Sequence, residues 1–217
     1  PQLRGIGCVI LDEFHERSWH SDIGLGLLRE LQLLARPDLK ILVMSATLHA
    51  EKVSQYLGDC PIVEVKAEAH PIEIVHDRNP QLLTSGMELI KKVSESVQAV
   101  LEGRAKGNGD LLVFLPGTRE INGVARQIES SAQKTGAEVH LLPGSLRLED
   151  QDRAIQKSSR RKVVLATNIA ETSLTIDGVA TVIDSGLARV MRQDMNGFPR
   201  LELSRISQFS AIQRTGR

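Results

Sequence analysis

Short β-branched runs alternate along this chain with stretches whose apolar positions recur every three or four residues. That alternation predicts an α/β fold with mainly parallel sheets. The run Gly7 to Leu11 ends on Asp12 and Glu13, and a second run, Lys40 to Met44, leads into Ser45-Ala46-Thr47. Between them, leucines at helical spacing predict a helix over Ile23 to Leu34, stopped by Pro37. Glu51 to Leu57 reads as a short helix with Gly58 as its C-cap, and Ile62 to Val65 as a third strand.

From Lys66 the texture changes. Ala67-Glu68-Ala69-His70-Pro71 follows neither period, so a linker is expected there, dividing the chain into residues 1–68 and 69–217. Ile72 to Val75 would enter the second part as a strand. Met87 to Leu101 is an amphipathic helix, Gly103 to Gly109 a mobile Gly/Lys turn, and Leu111 to Leu115 a strand halted by Pro116-Gly117. A helix over Ile121 to Ile128 and strands over Val139 to Leu142, Lys162 to Ala166 and Val179 to Ile183 follow. Arg189 to Met195 and Arg200 to Ile206 flank Asn196-Gly197, a strong hairpin signal. Arg160-Arg161-Lys162 reads as a solvated basic turn.

Composition narrows the chemistry mainly by exclusion. Lysines and arginines number 27, matched by 27 acidic residues, so bulk charge announces no nucleic-acid partner, and any such partner rests on local groups. Aromatics are only 3% of the 217 residues, which leaves no aromatic stacking platform, while 41% hydrophobic content can supply a core. Cys8 and Cys60 have neither metal-ligand nor disulfide spacing, which suits a reducing cytoplasm, and Cys8 lies in an apolar run as an expected core residue. His20, His49, His70, His76 and His140 show no metal spacing, and no apolar run or signal peptide points to a membrane.

Asp12-Glu13 stands at the carboxyl end of an expected parallel strand, where α/β sheets bind ligands. The pair alone leaves two readings open: a solvated acidic loop, or one carboxylate for Mg²⁺ beside another that activates water. The string Asp12-Glu13-Phe14-His15-Glu16-Arg17 resembles motif II of the DEAH-box helicases, with Phe14 where most members have Ala, as in the bacterial HrpB branch. Ser45-Ala46-Thr47 is similar to motif III, and Leu112 to Gly117 with Glu120-Ile121 to motif IV. Gly144-Ser145-Leu146 and Gln151-Asp152-Arg153 are like the loop and helix that come next. Ala166 to Gly178 matches motif V almost letter for letter, and Gln213-Arg214-Thr215-Gly216-Arg217 opens motif VI. The motifs stand in family order along the whole chain.

This resemblance implies two RecA-like lobes with ATP and Mg²⁺ between them, the first lobe truncated on its N-terminal side. It implies Asp12 in the Mg²⁺ shell, Glu13 as catalytic base and His15 linking the site to the second lobe, with Ser45 and Thr47 as coupling residues. Thr175 and Asp177 would face the nucleotide, Gln213 the γ-phosphate and attacking water, and Arg217 would be an arginine finger. Single-stranded RNA, or DNA in a translocating relative, would lie against Thr167, Asn168, Gly117, Gly144 and Ser145 through contacts that do not read sequence. The hairpin arginines Arg189, Arg192 and Arg200 either help to split duplexes or are simply solvated. Ile155 falls where many relatives stack a phenylalanine on the base, implying loose base discrimination. No Gly-Lys dipeptide occurs, so the phosphate-cradling loop is absent from these 217 residues and both ends read as cuts. The expected activity is ATP-dependent 3′-to-5′ RNA unwinding, with an ATPase-incompetent nucleic-acid-binding module as the rival, and the 217-residue polypeptide alone is expected to lack hydrolysis.

Overall fold

A computed structural model of the protein describes residues 2–45, 50–65, 71–76, 86–144, 156–172 and 176–217. The chain divides into two compact units, Pro1–His70 and Pro71–Arg217. In the first unit, β1 (Cys8–Leu11) and β2 (Lys40–Val43) pair in parallel, with Cys8 opposite Lys40 and Leu11 opposite Val43. Parallel strands need a long crossover, and α1 (Trp19–Leu34) supplies it. This helix starts earlier than its leucine period because Ser18 caps it, accepting the Ser21 amide. A 3₁₀ turn (Phe14–Glu16) follows β1, and α2 (Ala50–Tyr56) precedes Gly58, whose φ of +86° suits a chain reversal.

Two expectations for this unit fail. Cys8 is exposed rather than packed, because one face of the β1–β2 pair, carrying Cys8 and Ile10, is left uncovered among the described residues. Ile62 to Val65 is not a strand, and Val63 and Val65 are exposed. Its β-branched side chains favour extension, but a strand needs a neighbour to take its backbone hydrogen bonds.

The second unit is built on a four-stranded, all-parallel sheet in the order β4-β5-β3-β6. Its strands are β3 (Asp110–Phe114), β4 (Glu138–Leu142), β5 (Lys162–Ala166) and β6 (Val179–Asp184). The apolar runs of β3 and β5 face cores on both sides, which is why they do not alternate with polar residues. On one side α3 (Gly86–Leu101) and α4 (Thr118–Thr135) bring Val97 and Val124 against Leu111, Val113 and Leu165. On the other, Leu112, Phe114, Val164 and Ala166 pack with Leu142, Ala170 and Ile176. The one-turn helix α5 (Ile169–Thr172) leaves the carboxyl end of β5. Strands β7 (Leu187–Gln193) and β8 (Pro199–Arg205) form the expected antiparallel hairpin, its tip tied by the Asp194 carboxylate accepting the Asn196 and Phe198 amides. The helix α6 (Gln208–Thr215), capped by Ser207, follows it and was not foreseen from periodicity.

Three local readings are corrected here. Ile72 to Val75 forms no strand and its apolar side chains are exposed. The Gly103 to Gly109 turn is held rather than loose: Arg161 donates to the carbonyls of Gly109 (2.7 Å) and Gly107 (3.3 Å), and Thr181 to that of Asn108. Arg161 and Lys162 are therefore not a solvated turn. Lys162 is wholly buried, its ammonium donating to the Gln156 carbonyl at 2.7 Å and standing 3.7 Å from the Asp110 carboxylate.

Candidate functional site

At the carboxyl end of β1 the chain makes a tight, strained passage. Glu13 has φ +50° and ψ +36°, and Arg17 closes the following 3₁₀ turn with φ +50°, both left-handed conformations that cost energy for residues with a Cβ. The turn is anchored by Phe14, which is buried and donates its amide to the Met44 carbonyl after β2. His15 beside it is also buried, with Nε2 2.9 Å from Glu13 Oε2 and Nδ1 3.1 Å from Ser45 Oγ. A carboxylate only accepts, so Nε2 carries the donated proton, and in the neutral ring Nδ1 accepts from the Ser45 hydroxyl. The result orients the exposed Glu13 carboxylate through one oxygen and leaves the other, Oε1, outside these contacts. Asp12 is exposed too, and its Oδ1 accepts the Glu13 amide at 2.8 Å. Asp12, Glu13, His15 and Ser45 thus come together as one cluster.

In the second unit the expected polynucleotide contacts gather at the carboxyl edge of the sheet, the edge where open α/β sheets take ligands. Thr167 follows β5, Gly144 follows β4 and Gly117 follows β3. A Cβ added to Gly144 would stand 3.5 Å from Thr167 Oγ1, so those two positions adjoin. Thr167 Oγ1 is buried and has no hydrogen-bond partner among the described residues, which is uncommon for a hydroxyl in a folded protein. Asn168 beside it is exposed, as is Asp177. Gln213 and Arg217 are half-buried on and just past α6, and the Arg217 guanidinium donates to the Glu171 carbonyl. Thr47, Ser145, Ile155 and Thr175 lie outside the described residues.

The family described as helicase conserved C-terminal domain matches residues 91–217, more than half of the chain. The chain belongs to that helicase family. It is 43% identical over its whole length to the ATP-dependent RNA helicase HrpB of Escherichia coli strain K12, and 39% identical over 96% of its length to HrpA of the same strain. It spans 26% of that HrpB and 16% of that HrpA. The crystal structure of the Escherichia coli DEAH/RHA helicase HrpB superposes on the whole chain with a TM-score of 0.82 at 41% identity, and the chain covers 27% of it.

Within this helicase domain, Gly117 has a structural duty beyond any strand contact. A Cβ there would collide with the guanidinium of Arg189, which forms a two-pronged ion pair with Glu120, at 2.6 Å and 3.1 Å. Arg189 therefore turns inward and is not a projecting hairpin cation. Arg192 and Arg200 face one another across the hairpin and both approach Glu202, at 3.8 Å and 3.0 Å. Burial pushes the Glu120 carboxyl up, but the Arg189 guanidinium, its own backbone amide and the Arg119 charge together hold it below the ordinary carboxylate range. Such a group adds stability that is present above its unfolded pKa and lost as pH falls through the lowered one. Gly117→Ala is expected to displace Arg189, destabilise the second unit by about 1–3 kcal/mol and flatten this acid dependence. Urea unfolding across pH checks it; an unchanged midpoint and acid profile would show the space to be slack.

One set of residues in this helicase domain was not singled out from sequence. Arg214, 1% exposed, donates through Nε to Glu171 Oε2 (2.9 Å) and through Nη1 to Asp184 Oδ1 (2.8 Å). Its guanidinium also sits 4.6 Å from the centroid of the Phe114 ring. The available signal was Asp184, which ends an apolar run as Asp12 does, and Arg214 itself, a cation beside the expected phosphate-facing Gln213.

Proposed function

We propose that the chain is the part of an ATP-dependent RNA helicase that couples nucleotide hydrolysis to 3′-to-5′ movement along single-stranded RNA. Residues 1–68 would be the C-terminal portion of a first RecA-like lobe and residues 69–217 the second lobe. The observation that carries the reading is the buried Thr167 hydroxyl beside Gly144 at the carboxyl edge of the sheet, without a hydrogen-bond partner among the described residues and one helical turn from the residues that hold α6. A hydroxyl, the adjoining Gly144 backbone and the exposed Asn168 amide suit a sugar-phosphate strand gripped without base reading. They also ask for no excess of positive charge, in keeping with the balanced composition.

In this reading Glu13 Oε1 takes the proton of the attacking water while His15 and Ser45 hold the carboxylate in place. Asp12 fits a Mg²⁺ ion, since that ion uses one or two carboxylates and fills its other positions with water and phosphate oxygens. The exposed carboxylate keeps Oδ2 clear of the Glu13 amide, and no group of three or more ligating side chains occurs among the described residues. When bound, the ion would neutralise charge on the phosphates. Gln213, Arg217, Asp177 and Thr175 would face the nucleotide, and Ile155 would meet the base through an aliphatic surface that discriminates little. Ser45 and Thr47 would relay the state of this site to strand binding, with Ser145 joining Thr167 on the strand.

The direction of movement is tested with the full-length product of the gene, on RNA duplexes tailed at one end. Unwinding of the 3′-tailed duplex, dependent on ATP and much faster than that of the 5′-tailed one, is expected. Equal rates, or preference for the 5′ tail, would overturn the polarity.

A further inference from the structure

The buried Arg214 cluster joins two segments that the proposed function uses separately. On one side stands α5, a single turn closed by hydrogen bonds from the Ala170 amide to the Thr167 carbonyl and from the Glu171 amide to the Asn168 carbonyl. Any displacement of Thr167-Asn168 therefore carries Glu171 with it. On the other side stands α6, in which Arg214 is the neighbour of Gln213. The guanidinium bridges Glu171 and the end of β6 at Asp184, whose carboxylate also accepts the Gly186 amide at 2.9 Å. A guanidinium and the Glu171 carboxylate out of water, with the more exposed Asp184 at their rim, are a poor way to gain stability, because desolvation offsets most of the attraction. What such a cluster does supply is geometry: a planar fork with fixed donor directions ties both acids to one position of α6, which a point-charge ammonium cannot do.

Resting on the helicase reading above, we propose that Arg214 is a positioning residue that transmits occupancy of the strand site at Thr167-Asn168, through Glu171, to the placement of Gln213. It touches neither nucleotide nor strand. It makes the two halves of the site move as one body.

The experiment compares wild type with Arg214→Lys in the full-length gene product, with Glu171→Gln as a second variant that keeps the size and an acceptor. Amide hydrogen exchange is followed with and without single-stranded oligouridylate, alongside ATP hydrolysis. In wild type, oligouridylate should slow exchange both in Ile169–Thr172 and in Gln208–Thr215. In both variants the first segment should still respond and the second should not. Strand-stimulated kcat should fall by about tenfold with the KM for ATP within about twofold, the scale of an ordinary coupling between sites. Equal protection of Gln208–Thr215 in wild type and variants would overturn the proposal while leaving the helicase reading intact. Failure of the wild type to bind oligouridylate would overturn both. A purely structural Arg214 would instead weaken protection of both segments together, with or without oligouridylate, and that outcome also counts against the coupling.

Discussion

Replacing Glu13 by Gln in the full-length gene product is expected to lower ATP hydrolysis by about 100-fold or more, the range lost with a general base, with ATP binding near normal. The expectation follows from how little else the change disturbs. Gln is isosteric with Glu, and its amide oxygen can still accept from His15 Nε2, which stands 2.9 Å from the present carboxylate oxygen. The buried His15, its link to Ser45 and the strained turn around it therefore stay in place. What disappears is the capacity of the outer oxygen to take a proton. Steady-state hydrolysis and nucleotide binding measured on the same preparation separate the two effects. Turnover within a few-fold of wild type would remove Glu13 from the chemistry and leave Asp12-Glu13 as a solvated acidic loop.

Arg214→Met is expected to destabilise the second unit by about 3–5 kcal/mol, the cost of breaking a buried ion pair from one side. The methionine fills much of the space over Phe114, so the loss is electrostatic rather than a cavity. It strands Glu171, a buried residue, and Asp184 next to one another without their cation. Adding Glu171→Gln and Asp184→Asn to the same protein should restore most of the stability, because neutral groups are cheaper to bury than unpaired charges. Urea unfolding of the single and triple variants reads the difference. A single variant as stable as wild type would mean that water reaches the cluster and that its fork does not bind α6 to the sheet.

The parts of the fold legible in the sequence were those in which one periodicity carries both propensity and burial. Lys162 to Ala166 was read with its true limits, and Met87 to Leu101 missed its first residue by one, since both present an apolar pattern to a finished core. Ile62 to Val65 and Ile72 to Val75 were over-read, because β-branching signals extension but says nothing of a pairing partner. The helix at Gln208–Thr215 was under-read: its buried face includes Arg214, and a cation there hides the apolar stripe. In the site, Asp12, Glu13, His15 and Ser45 were visible through motif spelling, and the structure brings them into contact. Arg189 was misplaced for a physical reason that sequence alone does not expose. A glycine 72 positions earlier, Gly117, leaves the room into which its guanidinium turns to meet Glu120.

The central claim is that this chain serves a motor in which hydrolysis answers to the strand. Its most direct test is the ATP hydrolysis rate of the full-length gene product with and without saturating single-stranded RNA. A rate raised severalfold by RNA, with the rise lost in Glu13→Gln, is the predicted result. A rate indifferent to RNA, or no hydrolysis by a well-folded full-length protein, would contradict the account.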